Sequence, residues 1–305
     1  MSLLKLNRLI QPYDYGYVLP LIAKLPISLG YRMAQVRGIL HALLDYDWRS
    51  NSLNLRYVRA RVFENMRVFS ARTPLWGTLK RFMNNSVEEW QSCLFRNERK
   101  MRHIAQHCHI DYLDSYRQLS ERKKGVVMVS THFDSFCMGM VLIGMSGLRV
   151  NCINTSGIEN PKIDPVVRSH FKKKYRHMES LMNGLMPYHE DGMEIFYERL
   201  NQGDIVVLMG DVPGSRSKLY IKFLGKKFRL PLGAWYMAKK TGSLLGAYIT
   251  LGFPGGGYYH TVCTPPYNPD PDDPVKSLTP IYSFLESWIR AYPDKWVTSD
   301  LLQGY

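Results

Sequence analysis

Apolar residues recur at two different periods along this chain, and the change of period divides it. From residue 17 to about 95 the spacing is helical. "YRMAQVRGILHALLDYD" puts Met33, Val36, Ile39, Leu40 and Leu43 on one helical stripe, and "NLRYVRARVFENMRVFS" does the same with Leu55, Val58, Val62 and Met66. Arg56, Arg59, Arg61 and Arg67 fill positions between them, which makes the second segment a basic amphipathic helix. From about 119 onward, short valine-rich runs alternate with helical segments. "GVVMVS", "LRVNCINTS", "DIVVLMG" and "SLLGAYITLGF" read as strands. Between them, "FCMGMVLIGMSG", "DPVVRSHFKKKYRHM", "MEIFYERLNQG" and "LGAWYMAKKTG" read as helices, with Gly203 and Gly242 as C-terminal caps of the last two. "PGGG" (254–257) reads as a turn, with "YYHTVCTPP" pairing back as a hairpin.

Strands that are continuous apolar runs must be covered on both faces. Their alternation with helices predicts an α/β fold: a mostly parallel central sheet flanked by helices, with a helical N-terminal region. The expected division is 1–95 for the helical region and 96–305 for the α/β core, the core forming one continuous domain. In such sheets ligands bind beyond the carboxyl ends of the strands. His132 and Asp211 each follow closely on a strand, so both are candidates to face one crevice.

The composition is that of a globular chain, 45% hydrophobic and 22% charged in 305 residues. Net charge is +14, which favours polyanionic partners: nucleic acid, anionic lipid, phosphorylated ligands or acidic carrier proteins. No RNA-binding signature or zinc-finger spacing is present, and the basic residues are spread over several segments, so nucleic acid is the disfavoured partner. Five cysteines without a CxxC pair fit free thiols in a reducing compartment. No signal peptide and no run of eighteen apolar residues is seen. The nearest, "YGYVLPLIAKLPISLGY", is broken by Pro20, Lys24 and Pro26; it suits either a membrane interface or a core-packed helical hairpin.

The chemistry-bearing residues cluster after two strands. A lone histidine after a strand is more often structural, but His132 sits where active sites gather, with Asp134 and Cys137 nearby. An imidazole base needs a group that fixes its tautomer. Asp134 is two residues away, roughly 6.6 Å in an extended chain, so it reaches the ring only if the chain turns at Phe133. Cys137 falls in the first turn of the next helix, where a thiol can be acidified and serve as nucleophile; the competing reading is a small buried core residue. "GDVPGSRSK" after the later strand resembles an anion-holding loop, with Asp211, Arg216 and Ser217, although it lacks a Walker ending. In "HIAQHCH", His103 and His107 are one helical turn apart and could share a zinc, but no second ligand pair follows at finger-like spacing. A polar helix end is the preferred reading there, and neither metal nor other cofactor is expected.

Taken in order, these segments resemble the bacterial lipid A biosynthesis (lauroyl/myristoyl) acyltransferases, within the wider lysophospholipid acyltransferase superfamily. "ERKKGVVMVSTHFDSFCMG" is similar to a Gly-Val-(apolar)-x-x-His-Phe-Gly-Asn-Trp-Glu block. "NQGDIVVLMGDVPGSRSKLYIKFLGKKFRLPLGAWYMAKKTGSLLGAYI" resembles the second block, with its aspartate after a strand and a Phe-Phe-Gly-like turn at Phe223-Leu224-Gly225. "NPKID" and "IRAYPDKWV" resemble a shorter Asn-Pro-x-x-Asp element and a closing Pro-x-x-Trp segment.

The resemblance implies transfer of a fatty acyl group from acyl carrier protein or a CoA thioester to a hydroxyl or amine of a lipid or glycolipid acceptor. It implies His132 as general base and Asp211 as the second-block acid. It also implies a place at the cytoplasmic face of the bacterial inner membrane, held peripherally or by an interfacial anchor on anionic lipid. Three departures stand out: the family's orienting carboxylate falls on Cys137, an expected arginine falls on Ser156, and the Trp-x-His-Arg-Arg close is replaced after Trp296. Asp134 in the carboxylate role, Cys137 carrying the acyl group, or a non-catalytic relative that binds lipid or carrier protein all stay open at this level.

Overall fold

The computed structural model describes residues 3–49, 57–69, 73–212 and 217–298. The chain opens with α1 (Leu3–Tyr13), a single π-helical turn (Asp14–Val18), α2 (Leu19–Lys24) and α3 (Ile27–Leu43), then α4 (Val58–Phe69), α5 (Pro74–Leu94) and α6 (Glu98–Gln106). The core follows as β1 (Cys108–Ile110), α7 (Leu113–Glu121), β2 (Val126–Ser130), α8 (Phe136–Met145), β3 (Val150–Cys152), α9 (Pro165–Met182), α10 (Glu194–Asn201) and β4 (Ile205–Met209). It ends with β5 (Tyr220–Phe223), β6 (Lys226–Arg229), α11 (Gly233–Thr241), β7 (Leu244–Gly252), β8 (Tyr259–Cys263) and α12 (Pro274–Ala291).

The fold is α/β, as the alternating pattern predicts. Six strands form one sheet in the order β1-β8-β7-β2-β4-β3. β3, β4, β2 and β7 run parallel; β8 returns antiparallel to β7 and carries β1 parallel to itself. Successive residues of the central strand point to opposite layers, as the strand period requires. Val126 and Met128 enter one apolar cluster, with α5, α8 and α9; Val127 and Val129 enter the other, with α10, α11 and α12. β5 and β6 form a separate hairpin whose turn is Leu224-Gly225, both at positive φ.

The N-terminal helices pack by an unusual rule. The face of α3 turned inward is small and polar: Gly30, Ala34, Arg37, Gly38, His41 and Ala42 are its buried residues. A Cβ at Gly38 would lie 2.5 Å from the Met83 Cα, so only glycine permits this approach of α3 to α5. Arg37 is buried and bonds Asp14 (Nε–Oδ1 2.8 Å), Ser86 (2.9 Å) and Glu89 (2.6 Å). The predicted stripe of α3 is therefore mostly on the outside: Met33, Val36, Leu40 and Leu43 are 41–65% exposed, and Ile39 is half-buried. In α4, Val58, Val62 and Met66 are buried as their spacing predicts; Leu55 and Arg56 lie outside the described residues.

The broken apolar stretch before α3 is divided between core and surface. Tyr15, Leu19, Ile22 and Ala23 pack into the core, while Tyr17, Val18 and Leu21 are exposed. Among the described residues no helix is long and apolar enough to cross a membrane.

Candidate active site

β2 and β4 are neighbours in register, Ser130 opposite Met209. His132 and Asp211 each lie two residues beyond that pair, so equal steps past the sheet bring them level. His132 Nδ1 is 2.9 Å from Asp211 Oδ1, and the His132 backbone N–H donates to Asp211 Oδ2 at 3.0 Å. The same Oδ2 accepts from Trp296 Nε1 (2.9 Å) and Thr298 Oγ1 (2.7 Å). Asp211 is fully buried, whereas the His132 side chain keeps 30% of its surface.

Burial alone would raise the Asp211 pKa. The His132 charge and the donors from His132, Trp296 and Thr298 outweigh it and hold the carboxyl down at about 2. Burial likewise opposes charge on His132, but the Asp211 charge beside it wins and raises its pKa above the ordinary 6.5. An ionised carboxylate only accepts, so in the neutral ring Nδ1 carries the shared proton and the lone pair falls to Nε2.

Trp296 and Thr298 come from a segment clamped onto the strand end. Phe133 pairs with Trp296 as an antiparallel bridge, Val297 N–H donates to the His132 carbonyl (2.8 Å), and Asp134 N–H donates to the Lys295 carbonyl (2.7 Å). α5 holds the other side of this segment: Arg81 Nε donates to the Val297 carbonyl at 3.2 Å, and Asn84 to that of Asp294 at 3.0 Å.

The chain does turn after Phe133, with Asp134 at φ +46°, but the turn carries the Asp134 carboxylate toward β7. Its contacts are Ser135 Oγ (3.0 Å), Gly252 N–H (3.0 Å) and the Lys295 ammonium. Cys137 lies in the first turn of α8 and is 5% exposed, with burial pushing its thiol pKa up despite the nearby Lys174 ammonium. The ring contact of His132 on that side is Phe136, edge-on at 5.0 Å. Behind it Lys174 and Glu88 form a buried ion pair at 2.6 Å, with Lys174 Nζ 5.6 Å from the Phe136 ring centre.

The structure thus brings His132 to Asp211 and brings neither Asp134 nor Cys137 to the His132 ring. Arg216 lies outside the described residues. Ser217, beside it, forms a local turn with Leu219, accepting its N–H at 3.1 Å. The Trp296 and Thr298 donors were not singled out as site residues by sequence; the only signal for them was the closing Pro-x-x-Trp likeness. Lys174 reads as surface in a basic helix, because nothing local marks the one lysine that meets Glu88.

A strand-end histidine whose near nitrogen rests on a buried carboxylate is an arrangement that general-base chemistry can use. The family model for bacterial lipid A biosynthesis acyltransferases matches residues 14–298, and the chain belongs to that family. No curated protein matches the chain.

Proposed function

We propose that this protein is an acyltransferase that moves a fatty acyl group from a carrier-protein or CoA thioester to a hydroxyl of a lipid A-like or other glycolipid acceptor, with His132 as base. The observation that carries this is the 2.9 Å pairing of His132 Nδ1 with Asp211, on a side chain that keeps 30% of its surface, which leaves Nε2 for the acceptor.

In this reading Nε2 takes the proton of the acceptor hydroxyl as its oxygen bonds to the thioester carbonyl carbon. The carbonyl becomes a tetrahedral oxyanion. Its collapse breaks the C–S bond, and the departing thiolate receives the proton from the imidazolium. Asp211 holds the tautomer and offsets the transient positive charge. Arg216 and Ser217, a few positions past Asp211 in the chain, are assigned to the anionic part of donor or acceptor. Asp134 is assigned to positioning, through Lys295 and Gly252, and Cys137 to packing.

The inverted polarity of α3 supports action at an anionic bilayer surface. Its apolar stripe is largely exposed, its inner face is satisfied by Asp14, Ser86 and Glu89, and the chain carries +14. Amphipathic faces of this kind lie in the interface plane without spanning it. The acidic surface of a carrier-protein donor would suit the same positive charge.

The test is turnover of His132→Ala with acyl-carrier-protein and CoA thioesters. We expect loss of about four orders of magnitude with the fold intact. Unchanged turnover would remove His132 from the chemistry. An unchanged cellular phenotype, with wild-type protein also inactive toward every thioester, would favour a lipid- or carrier-binding relative without catalysis.

A further inference from the structure

His109, in the histidine-rich stretch that reads as a polar helix end, is separated from its neighbours by the fold. His103 and His107 stay on and just after α6, rings 4.6 Å apart, and His107 Nδ1 is taken by the His103 carbonyl at 2.8 Å. His109 instead lies in β1, whose parallel register with β8 sets it opposite His260. Partners in register project to the same face of a sheet, and so does a residue two positions on. Asp111, just past β1 and anchored by its N–H to the Thr261 carbonyl at 3.0 Å, is that residue.

The three side chains converge on one point. His109 Nε2 and His260 Nε2 lie 3.1 Å and 2.8 Å from the same oxygen, Asp111 Oδ1. One donor atom from each of the three residues falls within 4.8 Å of the others. Zinc at its usual bond lengths needs tetrahedral ligand atoms about 3.3 Å apart, so the two carboxylate separations would open by only a few tenths of an ångström. All three residues are at least partly exposed, which leaves a path for the ion.

We propose that His109, Asp111 and His260 bind a divalent transition metal of the zinc class. Two imidazoles and one carboxylate are a donor set that zinc accepts and magnesium, which demands oxygen ligands, does not. The ion would fasten β1, an edge strand of three residues, to β8, and leave at least one coordination position for water. The set lies on β1 and β8, away from the β2–β4 strand ends that carry His132 and Asp211. No local spacing predicts it, because its members are joined by strand pairing across some 150 residues.

The test uses the full chain, stripped with chelator and then given Zn(II) alone. We expect one zinc per chain by elemental analysis and a rise in Tm that Mg(II) does not reproduce. His109→Ala removes an exposed side chain and is chosen to spare the fold; Asp111→Asn and His260→Ala complete the set. Each should weaken zinc binding by roughly tenfold to a hundredfold or more, since even outer-shell partners of metal ligands cost that much. Failure of the wild-type chain to retain zinc overturns the proposal. So does zinc bound equally well by His109→Ala, which would place it elsewhere, on the thiols or on His103 and His107.

Discussion

Trp296 donates its indole N–H to Asp211 at 2.9 Å from a fully buried position, and so links the closing segment to the carboxylate that holds His132. The bond is made to a charged acceptor, and both partners are fully buried. Trp296→Phe should cost about 1.5–3 kcal/mol in stability from that bond alone. It should also lower kcat by roughly tenfold or more with little change in KM, because the donor acts on the base's partner and not on substrate. Chemical denaturation and steady-state kinetics on the same variant check both; an unchanged kcat would mean that Asp211 needs no support from this side.

The coupled pair sets a pH signature. His132 works as a base only when neutral, and its pKa is raised, so the acid limb of kcat/KM should have its midpoint above 6.5. Asp211→Asn removes the charge responsible, and the midpoint should fall while turnover drops by about four orders of magnitude. Stability follows separate rules for the two groups. The His132 contribution is complete below its unfolded value and fades as pH rises through the raised folded value. The Asp211 contribution is complete above its unfolded 3.8 and is lost as pH falls toward about 2. A pH–rate profile whose acid limb does not move in Asp211→Asn would separate the two residues functionally.

The resemblance sets Cys137 where the family carries its acid, yet it is a buried thiol made less acidic by its surroundings. Cys137→Ser should keep turnover within about tenfold of wild type, far from the ten-thousandfold expected on losing an orienting carboxylate. Intact-protein mass measured after incubation with acyl donor alone should show no adduct. A stable adduct lost in Cys137→Ser would revive the covalent route.

The outer stripe of α3 predicts a separation of binding from folding. Val36→Glu with Leu40→Glu changes two exposed residues, so denaturation should shift by no more than about 0.5 kcal/mol per site. Binding to vesicles rich in anionic lipid should weaken at least tenfold, given about 1.5–3 kcal/mol for each large apolar side chain withdrawn from the interface. Equal vesicle binding by the double variant would assign membrane contact to another surface.

The two central strands β2 and β4 were legible because they are short valine-rich apolar runs, and a run buried on both faces has few other readings. His132 and Asp211 were legible for the same reason: each stands just past such a run. What could not be read was which carboxylate reaches the ring. Local sequence offers Asp134 only through a turn at Phe133; the turn that forms swings its carboxylate to Gly252, and strand register supplies Asp211 from 79 residues away. The α3 stripe has helical spacing whichever way it faces. Its direction follows from Gly38 and Arg37, which are small and ion-paired enough to take the inside. β1 was missed because three residues among histidines carry no strand period.

The carboxylate that steadies His132 is itself steadied by Trp296 and Thr298, so the site is gathered from three places far apart in the chain. During synthesis this imposes an order in time. The apolar face of α3 leaves the ribosome early, and His132 follows. The last donors come about 166 residues after His132, on the order of 10–30 s later at ordinary synthesis rates. On the proposed function, a nascent chain would present its bilayer-facing helix well before it could hold its base in place, and turnover would wait until the chain had been made past residue 298.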